Sequence, residues 1–85
     1  MRQTAYELAT ILHIVCDEVK IFEDSVYFKY HNVVTAELNL TDLKFRFATP
    51  RVVEDMYATV NEVAGYFGEE GRNQVLDLVN KLRES

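Results

Sequence analysis

A single cysteine in a chain of 85 residues excludes an intrachain disulfide and a two-cysteine metal site. One proline and three glycines leave no Pro/Gly-rich linker. Serine occurs only at Ser25 and Ser85, and His13 and His31 stand in no arrangement of nucleophile, base and orienting acid. Nucleophilic catalysis therefore has no signature here. No run approaches the ~20 apolar residues of a membrane-spanning helix. Glu7, Asp17 and Glu18 interrupt the opening segment, which does not read as a signal peptide. The expectation is a cytoplasmic protein that does not enter a membrane.

Basic charge is scarce as well. Nine Lys and Arg against fourteen Asp and Glu give a net charge of -5. That balance disfavours sequence-independent nucleic-acid binding, which relies on neutralising phosphates. Gly65, Gly68 and Gly71 recur every third residue, but no strand precedes them. They read as close helix packing and a helix–helix turn rather than a phosphate-binding loop. The adjacent acidic pairs Asp17-Glu18, Glu23-Asp24, Glu54-Asp55 and Glu69-Glu70 match no calcium-loop spacing, and helix dipoles account for the last two. No metal or cofactor is expected. Cys16 reads as a small apolar residue on the first helix, since Asp17 and Glu18 oppose thiolate formation.

What the chain does have is alternation. Val26, Phe28, Tyr30, Val34, Ala36, Leu38, Leu40, Leu43, Phe45 and Phe47 fall on one side of a period-two pattern. Tyr27, Lys29, His31, Thr35, Glu37, Asn39, Lys44 and Arg46 fall on the other. Such a pattern builds a sheet with one buried and one solvated face. Short connections at Glu23–Ser25, His31-Asn32 and Thr41-Asp42 make it an antiparallel meander of three to four strands. A first helix is predicted over about Thr4 to Asp17, opened by a Thr4–Glu7 capping box, with Leu8, Leu12 and Val15 on its apolar stripe. A second helix opens at Thr49-Pro50, carries Val53, Met56, Tyr57, Val60, Val63, Ala64 and Phe67, and ends at Gly68. Glu69 and Glu70 start a third helix with Val75, Leu78, Val79 and Leu82 inward. The reading is one α+β domain over residues 1–85, order α-β-β-β(β)-α-α, with helices covering one face of the sheet. Phe28, Leu38, Phe45, Leu12, Val60 and Phe67 should meet in its core.

Several apolar residues fall off these stripes. Tyr6 and Ile14 lie toward the polar side of the first helix, Tyr66 lies beside Glu62 on the second, and Leu76 departs from the stripe of the third. Together with Glu54, Asp55, Glu62, Glu69 and Glu70 they form the candidate surface for a protein partner, one with a basic surface that the acids would steer toward. Open strand edges also favour a homodimer. The alternative is the outer sheet face, where Tyr27, Lys29, His31, Lys44 and Arg46 would bind a small anionic ligand or a nucleic-acid single strand.

The order α-β-β-β-α also occurs in double-stranded-RNA-binding domains, but their basic start to the final helix is replaced here by Glu69-Glu70-Gly71-Arg72, or by Thr49-Pro50-Arg51 one helix earlier. The α-β-β-β-α-α order with an acidic balance resembles that of some small phage-encoded inhibitors of CRISPR nucleases. The likeness spans the whole chain through architecture and carries over no functional residue. It implies a non-enzymatic acidic protein that occupies a basic surface of its target.

Overall fold

Residues 1–48 and 55–84 are described by the computed structural model. Helix α1 (Arg2–Leu12) leads into five strands: β1 (Glu18–Phe22), β2 (Ser25–Tyr30), β3 (Val33–Asn39), β4 (Lys44–Phe47) and β5 (Met56–Thr59). Helices α2 (Val60–Gly65) and α3 (Gly68–Glu84) follow. The fold is α+β, with an antiparallel sheet in the order β1-β2-β3-β4-β5, a meander throughout. No helix among the described residues is long and apolar enough to cross a membrane.

The core lies on one face of the sheet. Val19, Val26, Phe28, Ala36, Leu38 and Phe45 point into it from the strands. Ala5, Leu8, Val60, Val63, Ala64, Val75, Val79 and Leu82 close it from the helices. Leu12 and Phe67 pack against its margin, half-buried. Removing these apolar surfaces from water is the main driving force for the fold.

The first helix is shorter than its apolar spacing suggests. It starts behind Met1 as N-cap, with no side-chain cap, so Thr4 and Glu7 form no capping box. It stops at Leu12 because His13 turns left-handed, with φ 58°. The His13 N–H then donates to Thr10 O and the Ile14 N–H to Ala9 O at 2.9 Å. This is the Schellman pattern, which folds the next apolar residue back onto the helix. Ile14 accordingly packs against the core, and Cys16 lies in the connection to β1 rather than on the helix.

The tight turn at His31-Asn32 forms as its sequence predicts. Both residues have positive φ, 50° and 65°, as a two-residue hairpin of matching twist requires. The register shifts between Phe28 and Lys29, which places an extra residue on β3. This bulge takes Thr35 out of the alternation. Its hydroxyl donates to Val15 O at 2.8 Å and lies 3.2 Å from Phe28 O, so it ties β3 to the α1–β1 connection instead of facing solvent.

The second helix is where sequence and structure part most. Thr49, Pro50, Arg51, Val53 and Glu54 lie outside the described residues, but Met56–Thr59 is a fifth strand, paired with β4, and the helix begins only at Val60. Its N-cap is Thr59, whose hydroxyl accepts from the Glu62 N–H while the Glu62 carboxylate accepts from the Thr59 N–H, both at 3.0 Å. Among the described residues the sheet therefore has five strands, where alternation alone gives three to four.

Candidate functional site

The three helices of the described residues sit on the core side, and no described element covers the other face of the sheet. One row of direct cross-strand neighbours crosses all five strands on that face: Lys20, Tyr27, Glu37, Arg46 and Tyr57. Arg46 is held from both sides. Its Nε donates to Glu37 Oε1 at 3.1 Å, and its Nη1 donates to Asp55 Oδ2 at 3.0 Å. Glu37 also accepts from the hydroxyl of buried Ser25. Burial works against the guanidinium charge, but the bonds to Glu37 and Asp55 outweigh it and raise the Arg46 pKa further. Arg46 is thus committed to two carboxylates.

This redistributes the anion-binding set expected on the sheet. Tyr27, Lys29, Lys44 and Arg46 do share the outer face, joined by Lys20. His31 lies beyond it in the β2–β3 turn, where its N–H donates to Asp17 Oδ2 at 3.2 Å. The fifth strand adds Tyr57, 69% exposed, and Phe22 of β1 is exposed on the same face.

The partner-binding set is divided differently. Tyr6 is no misfit: its hydroxyl accepts from the Val19 N–H at 3.1 Å and so fastens α1 to β1. Tyr6, Ile14 and Leu76 are half-buried and packed against the core, contrary to the off-stripe position that helical spacing gives them. Asp55 belongs to the Arg46 cluster on the sheet, and Glu54 lies outside the described residues.

Four of the nine lie on one short stretch, across the corner between α2 and α3. Glu62 and Tyr66 are one turn apart on the same side of α2 and its end. Glu69 and Glu70 open α3 immediately after. Gly68 makes the corner with φ 71°, and Gly71 permits it, since a Cβ there would stand 2.6 Å from Phe67 Cβ. Tyr66 is 85% exposed, more than any other large apolar side chain described. The carboxyl of Glu62 is held below the usual range by the Thr59 N–H and the Thr59 hydroxyl, with nearby Lys44 adding to the effect. The corner therefore carries an exposed aromatic ring on the same short stretch as Glu62, Glu69 and Glu70.

Cys16 is half-buried, and burial first and Asp17 second push its thiol pKa up. That environment disfavours the reactive thiolate. Among the described residues, no three His, Cys, Asp or Glu side chains are grouped as metal ligands would be. A hollow between α1 and α3 has Ile11 and Leu78 in its lining with Glu7 and Asp77 beside them. A scan against protein-family models, a search of curated proteins and a search of solved structures each found no match.

Proposed function

We propose that this chain is a non-enzymatic protein-interaction module of the cytoplasm whose acidic α2–α3 corner docks on a basic surface of a target protein. The observation that carries this reading is Tyr66, exposed at 85% on a corner with Glu62, Glu69 and Glu70. An aromatic side chain at the centre of a polar rim is the usual composition of a binding hot spot. Carboxylates around it steer a positively charged partner and exclude a negative one. Inhibition by occupying the nucleic-acid channel of an enzyme is the sharper form of the same reading.

Affinity capture from host extract tests it. The recovered target is expected to be basic at the contact, to be lost with Tyr66→Ala or with Glu69→Lys and Glu70→Lys together, and to dissociate as salt rises. Retention of the target by these variants would overturn the reading.

A second reading is favoured by the fifth strand. Tyr57 and Phe22 join Tyr27 on the open sheet face beside Lys20, Lys29 and Lys44. Stacking surfaces flanked by cations suit a nucleic-acid single strand or a small aromatic anion. Loss of binding with Lys20→Glu and Lys29→Glu, but not with the corner variants, would select it.

A further inference from the structure

We draw no further inference here: the strongest candidate, the mostly apolar hollow between the α1–β1 connection and the ends of β3 and β4, lined by His13, Ile14, Val15, Thr35, Phe47 and Ala48, carries none because nothing in the structure shows what covers it.

Discussion

Thr59 and Glu62 show how much one pair of side chains decides. Each satisfies a backbone donor at the start of α2, and together they end β5 and begin the helix. Thr59→Ala is expected to cost about 1 kcal/mol in a denaturant melt. The folded-state pKa of Glu62 is lowered, so its contribution is present above the unfolded pKa and is lost as pH falls through the folded value. The gap between wild type and Glu62→Gln should therefore be visible at pH 7 and close as pH drops through and below the ordinary glutamate range. A gap that persists in acid would contradict the cap's charge dependence. On β4, Phe45 is fully buried, and Phe45→Ala is expected to cost about 3–5 kcal/mol. Arg46, its neighbour in sequence, belongs to a solvated face by alternation alone. Its side chain is only 24% exposed, and its removal leaves Glu37, itself 22% exposed, with the Ser25 hydroxyl but without its cation. Arg46→Ala should cost about 1–2 kcal/mol, and Lys44→Ala within about 0.5. If Arg46→Ala proved more damaging than Phe45→Ala, the face assignment of β4 would be wrong.

At the level of elements, the sheet is legible because alternation from Val26 to Phe47 is a global property that single exceptions do not erase. What it hides is the bulge at Thr35, since one inserted residue leaves the composition of the strand untouched. The two Thr-x-x-Glu patterns are indistinguishable as text: Thr4–Glu7 lies inside α1 without capping it, and Thr59–Glu62 caps α2. Tertiary pairing settles the difference, because Met56–Thr59 is drawn into the sheet beside β4. The spacing of Met56, Tyr57 and Val60 fits a helix stripe and a strand equally over so short a stretch, and this is why the fifth strand was not evident. The end of α1 is hidden for another reason. A histidine rather than a glycine takes the left-handed position, and the sequence carries no usual stop signal there. The α2–α3 corner does carry one, Gly68 at φ 71°. Gly68→Ala is expected to cost about 1–2 kcal/mol in a thermal or denaturant melt. An unchanged midpoint would mean that the corner does not depend on that backbone conformation.

At the scale of the molecule, the described residues place helices on one face of the sheet and none on the other, which divides the surface into two candidate sites. The acidic corner is partly legible: Glu62, Tyr66, Glu69 and Glu70 are close in sequence, and the short α2 and the turn at Gly68 keep them on one corner of the chain path. Tyr6, Ile14 and Leu76 were misplaced because a helical projection ignores where a helix stops and what packs over it. The outer row from Lys20 to Tyr57 was illegible as a row, since its fifth member lies on the strand that helical spacing conceals. Which of the two surfaces meets the partner is the central question. A photocrosslinking amino acid introduced in separate variants at Tyr66, Tyr57 and Tyr27 answers it directly in host extract. The account predicts an adduct to a basic target from position 66, weakened by salt, with none to that target from positions 57 and 27. Adducts to a protein or nucleic-acid target from positions 27 and 57, with position 66 silent, would contradict it.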